Sequence, residues 1–248
     1  MTPRADATGQ ARAHPHADLV AGIRDALPRA GDPERAAGQQ RYMKSAMPYH
    51  GLTSPELRAT LRPILADPAH RIADRPTWEA TVRTLWDGAT HREQRYAATA
   101  LAGHRHYRAW QDRDTLRLYR HLVVTGAWWD HVDDIASHLV GPILRSDHPA
   151  VAPLIRDWAH ADDLWVRRTA ILSQLGAKAA TDTALLEDCV AANLVDSPFG
   201  GEFFIRKAIG WALREYAKTD PAWVRAALAR HGAGLSPLSR REAAKHLP

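Results

Sequence analysis

Cysteine is almost absent from this sequence, since Cys189 is the single cysteine among 248 residues. One cysteine excludes a disulfide within the chain. The sequence also lacks any apolar run long enough for a membrane span or for the core of a signal peptide. These absences predict a cytoplasmic protein that does not act in a membrane.

The common motifs of nucleotide and hydrolytic chemistry are missing as well. The sequence has no glycine-rich phosphate loop ending in lysine, no dinucleotide-binding glycine triplet, no serine nucleophile elbow and no paired-histidine zinc motif. The 14 histidines are scattered, and His104 and His106 would diverge on a helix. These chemistries therefore lack their usual signatures, and no zinc site is recognisable.

Phenylalanine is scarce whereas tryptophan is not, with three of the first and nine of the second. Tryptophan is the best stacking platform for a base or a cation. Lysine and arginine number 33 against 28 aspartates and glutamates, and the pI is about 9.6. This basic balance favours an anionic partner such as nucleic acid.

Helical spacing dominates the chain from about residue 17 onward, and no segment alternates like a β-strand. Proline after a capping residue marks helix starts, as at Asp32 and Ser54. Roughly a dozen short helices, pairing about every 35 to 45 residues, predict an all-α fold, an α-solenoid of HEAT-like repeats. It would form one curved domain over 16–248 with a concave DNA-binding face, after a flexible tail over 1–15. A compact helical bundle is the alternative.

The most informative stretch is Trp128–Leu139. On a helix of about 100° per residue, four apolar residues share one narrow stripe: Trp128, Val132, Ile135 and Leu139. Trp129 and Asp133 lie outside this stripe and project side by side. An indole face beside a carboxylate can receive a flat cation. The structural alternative is a rim tryptophan that packs in a bundle and an aspartate that favours the helix dipole.

Two further helices carry residues that break the apolar pattern. Arg168 falls in the middle of the stripe of the helix from Leu164, so it must pair with a carboxylate or reach a phosphate. Trp211 points away from the apolar face of the segment Phe203–Ala217, beside Lys207 and Arg214. That basic aromatic face fits nucleic-acid binding, or else packing against the next helix pair.

Five blocks of the sequence carry a family likeness: Arg41–Lys44, Trp128–Asp133, Leu164–Leu172, Phe203–Lys218 and Leu238–His246. In this order they resemble the AlkD-type DNA alkylation repair glycosylases, from about residue 18 to the C-terminus. The resemblance implies a HEAT-like fold and the excision of positively charged N3- and N7-alkylpurines from double-stranded DNA. It implies no metal and no redox cofactor, and we expect a monomer.

The resemblance also implies roles for individual residues. Asp133 would be the catalytic carboxylate, and Trp129 and Trp211 would be the two cleft tryptophans. Arg168 would contact the DNA backbone. Tyr42 would be the cleft tyrosine, a role that only the resemblance supports.

Two segments depart from the family pattern, namely 47–52 and 193–201, the second being longer and richer in proline and glycine. Both are expected to border the cleft and to influence the substrate range.

Two other functions are compatible with the sequence. A non-catalytic HEAT-repeat module could bind DNA or protein on the same face, although a carboxylate such as Asp133 would then repel the phosphates. A self-resistance glycosylase for a bulky natural-product adduct would have the same sequence features as a general repair enzyme.

Overall fold

The computed structural model describes residues 13–247, so most of the predicted tail lies outside the described residues. The α-helices within this range are α1 Ala17–Arg29, α2 Pro33–Met43, α3 Ser54–Ala66, α4 Arg75–Asp87, α5 Arg92–Ala102, α6 Leu116–Gly126, α7 Trp129–Asp134, α8 Gly141–Ser146, α9 His148–Ala159, α10 Leu164–Leu172, α11 Thr183–Ala191, α12 Phe203–Ala217, α13 Pro221–His231 and α14 Pro237–Ala243. No β-strand occurs in residues 13–247, which confirms the all-α prediction. No helix in that range is both long and apolar enough to cross a membrane.

Side chains mark where most of the helices begin. Asp32, Asp74 and Asp163 each accept hydrogen bonds from backbone N–H groups in the first turn of the helix that follows. These amides have no partner within the helix, so a capping carboxylate satisfies them. Thr53 and Glu56 form a reciprocal capping box at α3.

The chain divides into two compact units, Met1–Trp110 and Gln111–Pro248. In the first unit, α1 packs on α3, α4 and α5 around buried apolar side chains. Buried Glu93 of α5 accepts hydrogen bonds from the backbone N–H groups of His50, Gly51 and Leu52, at 2.9, 2.8 and 3.2 Å. This carboxylate fixes the connection between α2 and α3.

In the second unit, α10 packs against α6, α7, α9 and α12, and α12 packs against α14. The approach of α12 to α14 depends on Gly210. A Cβ atom at this position would lie 2.5 Å from the Cβ of Glu242 and 3.0 Å from the carbonyl oxygen of Ser239. Glycine therefore allows the two helices to meet closely.

A π-helical turn, Ile135–Val140, joins α7 to α8 without a break. Pro142 follows this turn and has no N–H group to donate to the carbonyl of His138, as an α-helix would require. At Gly141 a Cβ atom would lie 2.6 Å from the carbonyl oxygen of Ser173, just after α10. The widened helix therefore lies directly against the end of α10.

Candidate functional site

The site centres on a carboxylate from α7 and a guanidinium from α10. Arg168 donates from Nε to Oδ1 of Asp133 at 2.7 Å and from Nη2 to Oδ2 at 2.8 Å. Only 4% of the Arg168 side chain and 13% of the Asp133 side chain are exposed. Two parallel charge-assisted hydrogen bonds between nearly buried groups fix their relative orientation. Of the two partners that the sequence left open for Arg168, the structure shows the carboxylate.

Opposing effects act on the pKa of Asp133. Burial raises the pKa of this carboxyl above its ordinary value and outweighs the hydrogen bonds and charge of Arg168, which lower it. Asp130 and Asp134 raise it further. Both oxygens accept from the guanidinium, so the paired form is the ionised one. Water is largely excluded around the Asp133 carboxylate, so its negative charge interacts strongly with nearby charges.

Arg168 also ties α12 to this pair. Its Nη1 donates to the backbone carbonyl of Phe204, in the first turn of α12. Its Cζ lies 5.8 Å from the centroid of the Phe204 ring. A single side chain thus joins α7, α10 and α12.

An aromatic cluster lies beside the guanidinium and contacts it through Phe204. The ring centroids of Trp128 and Trp165 lie 6.1 Å apart, and the Phe204 ring lies 5.5 Å from the first and 5.0 Å from the second. Phe203 packs on Phe204 at 5.4 Å and is 52% exposed. Sequence reasoning missed Trp165. Its position three residues before Arg168 was the available signal, since residues at that spacing share a helix face.

The predicted apolar stripe of the central stretch is buried, except at its first residue. Val132, Ile135 and Leu139 lie in the core, whereas Trp128 is half-buried and precedes α7 as its N-cap. Trp129 is half-buried one helical turn before Asp133.

Tyr42 is a residue of α2 in the first unit, where 77% of it is exposed. The other predicted site residues all belong to the second unit.

The basic face of α12 has a partner that sequence reasoning missed. Lys207 and Arg214, which flank half-buried Trp211, contact the carboxylate of Glu242 at 3.0 and 2.7 Å. Lys245 contacts the same carboxylate at 2.7 Å. Hydrogen bonds from Lys245 and Lys207 lower the pKa of Glu242 to about 2. The cations predicted to face phosphates are therefore paired with an acid of α14.

The described residues offer little for metal or thiol chemistry. No group of three or more His, Cys, Asp or Glu side chains that could hold a metal ion occurs in residues 13–247. Burial raises the pKa of Cys189 to about 12, so its thiol is a poor nucleophile and a poor ligand. The groups that the structure brings together at this site are a carboxylate, a guanidinium and aromatic rings.

Comparison with known proteins identifies the family. The family model described as "DNA alkylation repair enzyme" matches residues 23–247. The chain belongs to the DNA alkylation repair enzyme family. This confirms the resemblance drawn from the five sequence blocks, and membership in a DNA alkylation repair enzyme family makes DNA the substrate.

A solved structure is similar along most of the chain. It is a "predicted DNA alkylation repair enzyme from Enterococcus faecalis", with a TM-score of 0.76 and 30% identity. The match covers 88% of this chain and 96% of that chain. No curated protein matched the sequence. The structural match agrees with the helical-repeat fold predicted for this alkylation repair enzyme.

Proposed function

We propose that this DNA alkylation repair enzyme is a glycosylase. It hydrolyses the N-glycosidic bond of positively charged N3- and N7-alkylpurines, such as 3-methyladenine, 7-methylguanine and bulkier adducts, in double-stranded DNA. It acts as a cytoplasmic monomer, without a cofactor and without drawing the base into a pocket. One observation carries the proposal: the carboxylate of Asp133 is held bidentately by Arg168 where α7, α10 and α12 meet.

The chemistry of the lesion explains why one carboxylate suffices. Alkylation at N3 or N7 gives the purine a positive charge, so the base can leave without being protonated. When the bond between C1′ and N9 breaks, its electron pair stays on the purine and neutralises that charge. The sugar becomes an oxocarbenium-like cation, which Asp133 stabilises. Glycoside hydrolases, in contrast, need a second carboxyl group to protonate their leaving group.

Asp133 has a second role, in the attack of water. A water molecule oriented by the carboxylate forms the new bond from its oxygen to C1′, and its proton passes to Asp133 or to solvent. The raised pKa of Asp133 makes it a better proton acceptor than an exposed aspartate.

Trp129 and Trp211 would hold the damaged nucleotide by stacking on its sugar and backbone. Arg168 donates hydrogen bonds to both carboxylate oxygens of Asp133. Contact with the DNA backbone, as the family resemblance implies, would require Arg168 to share its donors. We therefore assign Arg168 first to the orientation of the carboxylate.

The proposal is tested by base release from a duplex with a single 7-methylguanine, under single-turnover conditions. Asp133→Asn keeps the shape of the side chain and removes its charge. Loss of one preorganised electrostatic group typically costs roughly 100- to 1,000-fold in rate. We expect that loss, with DNA binding retained when it is followed by fluorescence anisotropy. Asp134→Asn is the matched control, because it also removes one carboxylate charge from α7, whereas the Asp134 side chain is 51% exposed and pairs with surface His138 at 3.0 Å.

Three outcomes would contradict the proposal. Binding without release by the wild type would favour a non-catalytic DNA-binding module. Full activity of Asp133→Asn would remove this carboxylate from the mechanism. Equally fast release of an uncharged lesion, such as uracil or 1,N6-ethenoadenine, would show that lesion charge does not drive the reaction.

A further inference from the structure

Arg167 is a buried guanidinium whose hydrogen-bond partners are all neutral. It is 5% exposed and lies next to Arg168 on α10. Its Nε donates to the carbonyl of Ala161 at 2.6 Å, and Nη2 donates to the carbonyl of His160 at 3.1 Å. Nη1 donates to the carbonyl of Ala192 at 3.2 Å and to Oδ1 of Asn193 at 3.3 Å. Burying such a side chain costs free energy, which its hydrogen bonds to neutral acceptors offset only in part.

The backbone acceptors explain how this charge is tolerated. His160 and Ala192 are the C-caps of α9 and α11. Carbonyl groups at the C-terminal end of a helix lack donors and carry a partial negative charge. Burial lowers the pKa of Arg167, but a guanidinium in a protein stays protonated. Arg167 therefore joins the ends of two helices.

Arg167 also holds the segment that leads to α12. Its Cζ lies 5.1 Å from the centroid of the Phe199 ring. Asn193 donates from Nδ2 to two carbonyl groups, of Ala159 at 3.1 Å and of Cys189 at 2.9 Å. The beginning and the middle of residues 192–204 are thus fixed to α9, α10 and α11.

The turns of this segment are tight. Gly200 lies so close to the chain that a Cβ atom there would be 1.8 Å from the carbonyl oxygen of Leu194. Because of this contact, residues 194–200 have little freedom to rearrange around a change at either end.

Arg168 holds the other end of the same segment, through the carbonyl of Phe204. Two consecutive arginines of α10 therefore clamp residues 192–204 at both ends. The Phe204 carbonyl accepts the third hydrogen bond of the guanidinium that orients Asp133. A shift of this carbonyl would leave an N–H group of Arg168 without its acceptor and let the guanidinium turn.

We infer that Arg167 is a positioning residue for excision, a role that rests on the proposed function. Arg167 holds the start and middle of residues 192–204 and thereby places the Phe204 carbonyl. This carbonyl in turn orients Arg168 toward Asp133. This role gives a structural consequence to the departure of residues 193–201 from the family pattern. This segment reaches the catalytic carboxylate through Phe204, so its length and turns influence the geometry of the reaction.

The first test follows Arg168 itself and needs no activity. In the protein labelled with ¹⁵N, hydrogen exchange of the Arg168 Nε–H group reports its bond to Asp133. Arg167→Lys keeps a positive charge but cannot donate to all four acceptors. We expect this exchange to become on the order of 10-fold faster, the effect of losing about one net hydrogen bond.

Arg156→Met is the matched control for this measurement. Arg156 of α9 contacts Asp188 of α11 at 2.6 Å on the surface, so it links the same two helices through an ion pair that does not include residues 192–204. Exchange at Arg168 should stay as in the wild type in this variant. Wild-type exchange in Arg167→Lys, or equal acceleration in both variants, would overturn the inference.

The second test measures excision and separates positioning from stability. In Arg167→Lys the single-turnover rate constant should fall by up to about 100-fold, the cost of a displacement of about 1 Å. The Kd for DNA should stay unchanged. The same substitution should have no further effect when Arg168 is already methionine, because Arg167 acts through Arg168. An equal loss in both backgrounds would overturn the inference.

The inference can still be tested if Arg167→Lys fails to fold or if the protein is not a glycosylase. If Arg167→Lys does not fold, Phe199→Leu removes the ring contact alone and should accelerate exchange at Arg168 in the same direction. If the wild type releases no alkylpurine, the proposed function fails, while the exchange measurement still decides whether Arg167 positions Arg168.

Discussion

Replacing Arg168 by methionine removes the guanidinium of the central pair and keeps much of the side-chain volume. Asp133, with 13% of its side chain exposed, would then lack its cation, and the Phe204 carbonyl would lose its donor. Removing one partner of a buried ion pair typically costs about 3–5 kcal/mol. Because Asp133 keeps some access to water, we expect the lower end, about 3 kcal/mol in the free energy of unfolding at pH 7.5.

Protonation of Asp133 should relieve this penalty. Without Arg168, the two main effects that lower the pKa of Asp133 are gone, and burial still raises it. The folded variant therefore binds a proton at higher pH than the unfolded chain does. The penalty is full above the folded pKa and declines as the pH falls toward the ordinary aspartate value of about 3.9.

Urea unfolding over a range of pH measures this effect. The set comprises the wild type, Arg168→Met, Asp133→Asn and the double variant, and the double variant should be less destabilised than the sum of the two single variants. A penalty for Arg168→Met that does not change with pH would refute the reasoning, as would strict additivity.

Three other outcomes follow from the structure. The excision rate of the wild type should fall on the acidic side with an apparent pKa above that of an ordinary aspartate, because burial raises the pKa of Asp133. A rate-pH profile whose acidic pKa is at or below the ordinary aspartate value would contradict this. Gly210→Ala should lower the free energy of unfolding, because overpacking against Glu242 costs about 1–3 kcal/mol and outweighs a helix-propensity gain of at most about 1 kcal/mol. A Cβ atom at Gly38 would meet nothing within 4 Å, so Gly38→Ala should raise the free energy of unfolding. If urea unfolding showed that both variants change this free energy in the same direction, the result would be inconsistent with the packing. The lowered pKa of Glu242, about 2, contributes stability that is present above the ordinary glutamate value and is lost as the pH falls through 2. In acid unfolding, Glu242→Gln should lack this pH dependence. Because the substitution also releases the cations that pair with Glu242, the variant should bind DNA more tightly and with a steeper salt dependence.

Local signals in the sequence predicted much of the fold. Helix starts depend on residues a few positions apart, such as Asp32 and the proline that follows it, so they can be read from a single stretch. The stripe of Val132, Ile135 and Leu139 is local in the same sense, and all three are buried. Helical periodicity therefore identified both the elements and their core faces.

The partners within the site could not be predicted in this way, because they come from distant parts of the chain. The misfit of Arg168 in an apolar stripe indicated that it needed an anion, but its partner lies 35 residues away on another helix. Glu242 is 28 residues from Arg214 and meets it because Gly210 lets α12 and α14 approach. Such pairs depend on how helices pack, and no local spacing specifies that packing.

The π-helical turn Ile135–Val140 has a consequence for changes in chain length. A π turn closes its hydrogen bond one residue later than an α turn. Deleting one residue there would remove the extra residue of the π turn and leave both flanking helices in their present register, although Pro142 would still be unable to donate to the carbonyl four residues before it. Asp133 upstream and Gly141 downstream would keep their contacts with α10. Of the whole helical run from α7 to α8, this is the place where a one-residue deletion can be absorbed without displacing the carboxylate.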